Sequence, residues 1–179
     1  RASQPEAQRV ELTEEESERI ASSNGRSLIN EFWGNYVAFV IDPVLRTRYV
    51  LRGPCSTLPC LHTRVSGVDI YFSWMETSAE LFPSSFSIDW QHLARLLIGP
   101  MLSDRTGLNE VREILPGFCD EVRGKECVRR CYWNPIEIAT SNPIEDFWMA
   151  TASLRNAISS ATHAWASRMP RILHALSGG

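Results

Sequence analysis

The chain has 179 residues, of which 44% are apolar and 22% are charged, and its formal net charge is −3. This composition predicts a soluble protein with a sizeable core, and it excludes an electrostatic basis for binding nucleic acid or an anionic membrane. No apolar run approaches the roughly 20 residues of a membrane span. We therefore expect neither nucleic acid nor a membrane among the partners of this chain.

Two helices are predicted near the start of the chain. Thr13, followed by Glu14 and two further glutamates, is typical of a helix start, because threonine caps free N–H groups and the acids face the positive end of the helix dipole. Asn24 and Gly25 are expected to end this helix. Ser27 is expected to begin a second, shorter one.

A β-region follows the helices. Strands are predicted at residues 36–41, 48–51, 61–65 and 68–72, and a tight turn at Ser66 joins the last two. We expect these strands to form an antiparallel meander. The first strand is almost continuously apolar, which predicts that both of its faces are covered.

The middle of the chain is predicted to be a helix followed by further extended segments. Residues 87–97 predict the helix, and its candidate core positions are Ile88, Leu93, Leu96 and Leu97. Residues 110–133 return to extended character. The basic residues within them are expected to lie on a solvated sheet edge, where charge prevents unwanted pairing: Arg123, Lys125, Arg129 and Arg130.

Five cysteines, an odd number, argue against a secreted disulfide framework. Cys127 and Cys131 are four residues apart, which in a strand separates them by about 13 Å, too far to share a metal ion. The pattern favours reduced structural thiols over a zinc site. We accordingly predict a cytoplasmic protein.

A domain boundary is predicted at residues 134–142, because Pro135 and Pro143 bracket a polar connector there. Residues 1–133 would form the first domain. From Pro143 a long amphipathic helix is predicted to about Ser167, and we interpret Trp148 and Trp165 as core residues. The apolar positions at helical spacing are Ile144, Phe147, Trp148, Leu154, Ile158, Ala161 and Trp165.

The chain closes on a short apolar strand that runs directly into Leu176, Ser177, Gly178 and Gly179. Two consecutive glycines let backbone N–H groups converge on one point, and the serine hydroxyl adds a donor, which together indicate a phosphate cradle. A flexible tail is the alternative interpretation of these residues. We interpret residues 143–179 as the first helix and strand of a second domain and the chain as a fragment of a larger ATP-using protein.

Short segments of the chain match, in order, motifs of a known family. The matching segments are a glycine–aromatic–alanine strand, an arginine-led loop, an apolar strand, a Leu-Pro-Gly turn, a Tyr-Trp pair and the terminal Ser-Gly-Gly, at residues 34–39, 52–61, 70–73, 115–117, 132–133 and 176–179. On these residues the chain resembles the asparagine synthetase superfamily, in which a class II glutamine amidotransferase domain precedes an ATP pyrophosphatase domain. The resemblance spans nearly everything from residue 25 onward.

The resemblance implies an α+β fold, namely an N-terminal nucleophile hydrolase sandwich of two sheets between helix layers, followed by the start of an α/β ATP pyrophosphatase domain. It also implies an enzyme that uses ATP and Mg²⁺ to adenylate a carboxylate for attack by an amine. Ser177, Gly178 and Gly179 would cradle the pyrophosphate, and Leu176 would contribute backbone contacts near the adenosine.

Departures from the family pattern concentrate in the amidotransferase half. Gly53 stands where the family has aspartate, Ser56 where it has glycine, and Trp74 and Met75 where it has Ser-Glu. The family nucleophile is an N-terminal cysteine whose own amine serves as the base, whereas this chain begins with Arg1. We therefore interpret residues 1–133 as a partial, degenerate amidotransferase domain, and we expect no catalytic residue in the fragment.

Two kinds of ligase and one non-catalytic role stay open. The ligase either forms asparagine with glutamine as nitrogen donor, or closes a lasso-type macrolactam within a precursor peptide, and the substitutions favour the second. The substrate is accordingly a small-molecule or peptide carboxylate. The alternative is a scaffold or peptide-docking module. A half-built second domain would leave apolar helix faces uncovered, which predicts self-association of the isolated fragment.

Overall fold

The chain is a mixed α+β protein with two antiparallel sheets. The computed structural model describes residues 11–78, 82, 86–99, 103–141, 143–167 and 169–172. It divides into two compact units. The larger unit is Glu15–Trp133, and the smaller unit combines Arg1–Glu14 with Asn134–Gly179. None of the helices in the described part is both long and apolar enough to cross a membrane.

The helices and strands of the described residues alternate in short groups along the chain. The helices are α1 (Glu14–Ser22), α2 (Arg26–Glu31), α3 (Met75–Ser78), α4 (Trp90–Ile98), α5 (Pro135–Ser141) and α6 (Phe147–Ala166). The strands are β1 (Val37–Asp42), β2 (Thr47–Arg52), β3 (Leu61–Val65), β4 (Val68–Phe72), β5 (Arg112–Glu113), β6 (Phe118–Arg123) and β7 (Glu126–Cys131).

The strands form two sheets rather than the single meander that the sequence predicts. Sheet A has the order β1-β2-β6-β7, and sheet B has the order β4-β3-β5. The hairpins themselves match the predictions: β1 pairs with β2, and β3 pairs with β4 across the turn at Ser66. The meander breaks after β2, because β2 takes β6 as its second neighbour. The long-range pairing therefore separates β3 and β4 from sheet A.

One part of the core lies between the two sheets. Val50 of β2, Cys60 and Ile114 form a buried cluster, and Val37, Tyr71 and Phe118 pack against it. The opposite face of sheet A contacts the α1–α2 corner: the Tyr132 hydroxyl donates to the Asn24 carbonyl at 3.1 Å, and the Arg26 guanidinium lies 4.3 Å from the centre of the Tyr132 ring. A helix layer thus covers one face of sheet A, and sheet B covers the other.

Two of the sequence predictions about apolar residues in the larger unit are wrong. Strand β1 is not covered on both faces: it is the end strand of sheet A, and Phe39 and Ile41 are 61% and 65% exposed. Helix α4 begins at Trp90 instead of residue 87, because Asp89 is its N-cap and accepts from the His92 N–H at 2.9 Å. Three of its predicted core residues are exposed: Ile88, Leu96 and Leu97.

In the smaller unit, the connector after Trp133 contains helix α5. Helix α6 begins at Phe147, where Asp146 caps it, and ends at Ala166. The predicted core positions on α6 are exposed, Trp148 and Trp165 among them. This exposure agrees with the expectation that the helix carries uncovered apolar faces, while self-association itself stays a prediction. The predicted terminal strand lies outside the described residues.

Two arginines of sheet A form ion pairs and hydrogen bonds that join it to sheet B. Arg129 of β7 binds both carboxylate oxygens of Asp120 on β6, at 2.7 and 2.9 Å, and donates to the Glu113 carbonyl of β5 at 2.8 Å. Arg52 of β2 pairs with the Glu113 carboxylate at 2.5 Å and donates to the Ile114 carbonyl at 3.0 Å. Charged donors with bidentate geometry make strong hydrogen bonds, so this network ties β2, β6 and β7 to β5.

The network corrects one sequence prediction. Arg129 does not lie on a solvated edge with its neighbours, because its side chain is 23% exposed and bound to buried Asp120. The neighbouring Arg130 fits the prediction: it is 53% exposed and pairs with Glu121 on the other face of the sheet. Adjacent residues of a strand point to opposite faces, which explains the difference.

We expect Arg129→Ala to lower the free energy of unfolding by about 3 kcal/mol, because it leaves the Asp120 carboxylate buried without a counter-charge. Arg130→Ala is the matched control. It should lower the free energy of unfolding by less than about 1 kcal/mol, since exposed ion pairs contribute little to stability. Urea denaturation followed by circular dichroism measures both values. Equal losses in the two variants would contradict the structural role assigned to Arg129.

Asp89 should make stability depend on acid pH. The His92 N–H, followed by the paired Arg105 guanidinium, lowers the pKa of the Asp89 carboxyl. A carboxyl whose pKa is lower in the folded state stabilises the fold above its unfolded pKa, and this stabilisation disappears as the pH falls through the folded pKa.

We therefore expect Asp89→Asn to lower the unfolding midpoint at neutral pH, and its difference from the wild type to shrink below about pH 4. Asn keeps the capping oxygen, so the change removes mainly the charge that faces Arg105. Asp146→Asn is the control, because Asp146 caps exposed α6 by accepting from the Met149 N–H. A difference between wild type and Asp89→Asn that stays constant from neutral to acid pH would refute this assignment.

Candidate functional site

Three of the six segments that carry the family resemblance meet in space at Gly117. Its N–H donates to the Arg52 carbonyl at 3.0 Å, and its carbonyl accepts from the N–H groups of Tyr132 and Trp133 at 2.8 and 3.1 Å. The arginine-led loop, the Leu-Pro-Gly turn and the Tyr-Trp pair are far apart in sequence. We call the place where they converge the motif junction, formed by Tyr36, Arg52, Gly53, Gly117, Tyr132 and Trp133.

The junction requires glycine at position 117. Gly117 has a φ of 80°, and a Cβ built there would lie 2.9 Å from the Trp133 carbonyl oxygen. A side chain at this position would strain the backbone and also collide with a backbone atom that cannot move aside. The Leu-Pro-Gly turn and the Tyr-Trp pair therefore depend on each other's placement.

The glycine–aromatic–alanine strand reaches the junction through the backbone. The Gly53 N–H donates to the Tyr36 carbonyl at 3.1 Å. Asn35 holds the following loop, because its side-chain oxygen accepts from the Thr57 N–H at 2.8 Å and from the Thr57 hydroxyl at 3.1 Å. The Arg52 guanidinium also holds this loop in place, because it donates to the Ser56 carbonyl at 3.3 Å. Residues 52–57 are thus anchored to both sheets and to the start of β1.

Tyr36 occupies the space beside Gly53. A Cβ added at position 53 would lie 2.8 Å from two atoms of the Tyr36 ring. Burial raises the pKa of the Tyr36 hydroxyl to about 12, so the ring stays neutral, and the hydroxyl donates to the Leu28 carbonyl at 3.4 Å. The space that a side chain at position 53 would need is therefore filled by a neutral aromatic ring.

Three thiols of the larger unit, Cys60, Cys119 and Cys127, are not activated as nucleophiles. Cys60 and Cys119 are buried, and burial raises the pKa of each thiol to about 12. Burial likewise raises the pKa of Cys127 to about 11. The thiolate is the nucleophilic form, so these cysteines are inert near neutral pH. The expectation of free thiols agrees with the structure, in which all five cysteines are unpaired.

His62 has a nearby acid that the sequence analysis missed. Its Nε2 atom lies 3.0 Å from Asp69 Oδ1, and its ring stacks on Tyr71 at 4.7 Å between centroids. The buried Tyr71 hydroxyl has no hydrogen-bond partner among the described residues, and burial raises the pKa of this phenol well above its usual range. The trio therefore lacks an activated nucleophile, and its geometry fits a packing role between the sheets.

The predicted ATP-site residues Leu176, Ser177, Gly178 and Gly179 lie outside the described residues. Within the described part of the chain, no group of three or more His, Cys, Asp or Glu side chains could hold a metal ion. In the smaller unit, a shallow depression of about 400 Å³ runs along α6 and is lined by Thr151, Leu154, Arg155, Ile158 and Ser159.

The sequence analysis also missed Asp120 and Asp89, both buried. The sequence did contain a sign that Asp120 is buried. Asp120 interrupts the hydrophobic pattern of a strand that also supplies Cys119 and Val122 to the interior. Asp89 had one as well, because aspartate directly before a helix is a preferred N-cap. Their arginine partners, by contrast, are nine and sixteen residues away and could not be assigned from local patterns.

No protein-family model matches the chain, and no curated protein matches its sequence.

Alkylation should distinguish the cysteines in native protein. We expect iodoacetamide at about pH 8 to label exposed Cys55 and Cys131 first, Cys127 more slowly, and Cys60 and Cys119 only after unfolding. The raised pKa values keep the last three thiols protonated at this pH. Peptide mass spectrometry over a time course gives the order, and urea-unfolded protein is the control. Early labelling of Cys60 would contradict the inter-sheet core.

Proposed function

We propose that the chain belongs to an asparagine synthetase-like, ATP-dependent amide ligase that adenylates a carboxylate for attack by an amine. One observation carries this proposal: four of the six segments that were matched independently along the sequence converge at the motif junction. Gly117 bonds to Arg52, Tyr132 and Trp133, and Gly53 bonds to Tyr36. A shared site requires such convergence, so this geometry supports the proposal.

The layer arrangement supports the finer fold that the resemblance implies. A helix pair covers sheet A on one face, and sheet B packs on the other, as expected for half of an N-terminal nucleophile hydrolase sandwich. On this proposal α6 is the first helix of the ATP pyrophosphatase domain. Ser177, Gly178 and Gly179 would then cradle the pyrophosphate, with Leu176 near the adenosine, and Mg²⁺ would offset the charge of the phosphates.

The larger unit would be a non-catalytic part of this ligase. Three of its thiols are held protonated by burial, and Tyr36 fills the space beside Gly53. These observations favour macrolactam formation within a precursor peptide over glutamine-dependent asparagine synthesis, because peptide cyclisation needs no glutaminase. They also favour the second candidate function, a scaffold or peptide-docking module. The proposed compartment is the cytoplasm, where reduced thiols persist.

The product of the complete natural gene should exchange labelled pyrophosphate into ATP when a suitable peptide or amino-acid carboxylate and Mg²⁺ are supplied. Gly178→Val should reduce the exchange at least about a hundredfold, because a side chain would enter the phosphate cradle. Gly99→Val is the control, since open space surrounds Gly99, and it should keep the wild-type rate.

Two outcomes would overturn the ligase proposal. One is a gene that does not continue as Ser-Gly-Gly-x-Asp-Ser. The other is a folded, full-length protein that shows no exchange with glutamate, aspartate or peptides that contain them. Release of ammonia from glutamine by that protein would decide for asparagine synthesis and against the peptide cyclase.

A further inference from the structure

Strand β1 has an open outer edge. It is the end strand of sheet A, and its pairing with β2 is unbroken from Val37 to Asp42. Among the residues that the structure describes, no strand pairs with its other side. An open strand edge presents unpaired N–H and C=O groups and can accept another extended chain.

The pairing pattern identifies which backbone groups point outward. The Gly53 N–H donates to the Tyr36 carbonyl, so this directly opposed pair is hydrogen-bonded. Hydrogen-bonded and non-hydrogen-bonded pairs alternate along an antiparallel ladder. The amides of Val37, Phe39 and Ile41 therefore face away from β2 and toward the open edge.

The side chains of these residues add an apolar surface. Val37 packs against the inter-sheet core, and Phe39 meets Tyr71 edge to face at 5.8 Å. Ile41 continues the same row and is mostly exposed. Residues 37–41 contain no charge and no proline, which are the usual protections of a strand edge. The opposite end strand β7 does carry such charges, at Glu126, Arg129 and Arg130.

Positive charge lies at one end of this edge. Arg48 is directly opposite Ile41 in the ladder, and register partners share a face of the sheet. Arg46 lies in the preceding turn. Both are exposed, and neither forms an ion pair with the described residues. The nearby Asp42 carboxylate already accepts the N–H groups of Val44 and Leu45 through Oδ1.

We propose that the edge of β1 is a docking site for an extended peptide that has apolar residues at alternate positions and acidic residues at the end beside Arg48. The peptide adds to sheet A as a further strand. Its backbone pairs with Val37, Phe39 and Ile41, its apolar side chains cover Phe39 and Ile41, and its acids meet Arg46 and Arg48. This inference deepens the peptide-substrate form of the proposed function and rests on it for biological meaning.

Charge complementarity favours such a peptide over a second copy of the chain. Two β1 strands paired antiparallel about Phe39 would place Val37 of the copy beside Ile41. Tyr36 and Asn35 of the copy would follow along the edge, and none of these residues is acidic. Both arginines would stay without a counter-charge in that arrangement, whereas an acidic peptide supplies one.

The test measures binding of a synthetic peptide, acetyl-Thr-Val-Thr-Val-Thr-Glu-Glu-amide with a fluorescent label, to the 179-residue chain by anisotropy. We expect saturable binding, and an otherwise identical peptide ending in Lys-Lys should bind at least about tenfold more weakly. Arg48→Glu should reverse this preference. A version of the acidic peptide that is N-methylated at alternate amides should lose binding, because it lacks donors for the β1 edge.

A matched pair of variants tests the backbone contact. Ile41→Pro removes an outward N–H without removing a bond to β2, and it should weaken binding of the acidic peptide at least about tenfold. Ile41→Thr keeps the N–H and the β-branched shape, and it should bind nearly as the wild type. Circular dichroism confirms that both variants are folded; Arg48→Glu remains the decisive variant if Ile41→Pro does not fold.

Three outcomes would overturn the inference. The first is no saturable binding of the acidic peptide, and the second is equal binding of the N-methylated peptide. The third is a concentration-dependent dimer that Ile41→Pro abolishes and the peptide does not compete with, which would assign the edge to a second copy. The assay contains no ATP, so failure of pyrophosphate exchange and failure of peptide docking are separate results.

Discussion

The larger unit depends on two arginines that project from sheet A into the space between the sheets. Arg129 binds buried Asp120 with both carboxylate oxygens, and Arg52 and Arg129 both reach Glu113, one at its carboxylate and the other at its carbonyl. Hydrophobic contacts alone allow two sheets to slide, because such contacts have no direction. Directional hydrogen bonds from two different strands to one residue prevent this sliding. The same Arg52 also anchors residues 52–57, so the motif junction and the sheet packing share one support.

Local structure was largely predictable from the sequence, whereas its assembly was not. The hairpins and the α1–α2 pair follow from residue periodicity and turn residues, which act over a few positions. Helix α2, however, begins at Arg26 after Gly25 and not at a Ser27 cap. The division into two sheets depends on β6 entering between β2 and β7, a pairing across some seventy residues that no local pattern encodes. The apolar run of β1 was therefore interpreted as a buried strand, although it lies at an edge. The wrong core predictions for α4 and α6 have the same origin. Apolar spacing shows which face of a helix is hydrophobic, but it does not show whether another element packs against that face.

The residues of the candidate site likewise divide into those that the sequence identified and those that it did not. Motif order along the sequence identified Arg52, Gly117 and the Tyr-Trp pair, because a resemblance can be recognised one segment at a time. That these segments converge, and that Tyr36 fills the space beside Gly53, could be seen only in the three-dimensional structure. Arg129 was assigned to the wrong environment for a physical reason: it looks like any exposed arginine until the neighbouring strand places Asp120 beside it. The four residues of the predicted phosphate cradle lie outside the described residues, and their role rests on the resemblance alone.

The contact between Gly53 and Tyr36 has a consequence for how this chain can change over generations. A side chain at position 53 would overlap the Tyr36 ring, so the two positions are coupled, and the order of mutations matters. Aspartate at position 53 becomes acceptable only after the residue at position 36 has become smaller or has moved. A lineage that carries this pair of residues therefore gains a larger side chain at position 53 only through two changes made in a fixed order.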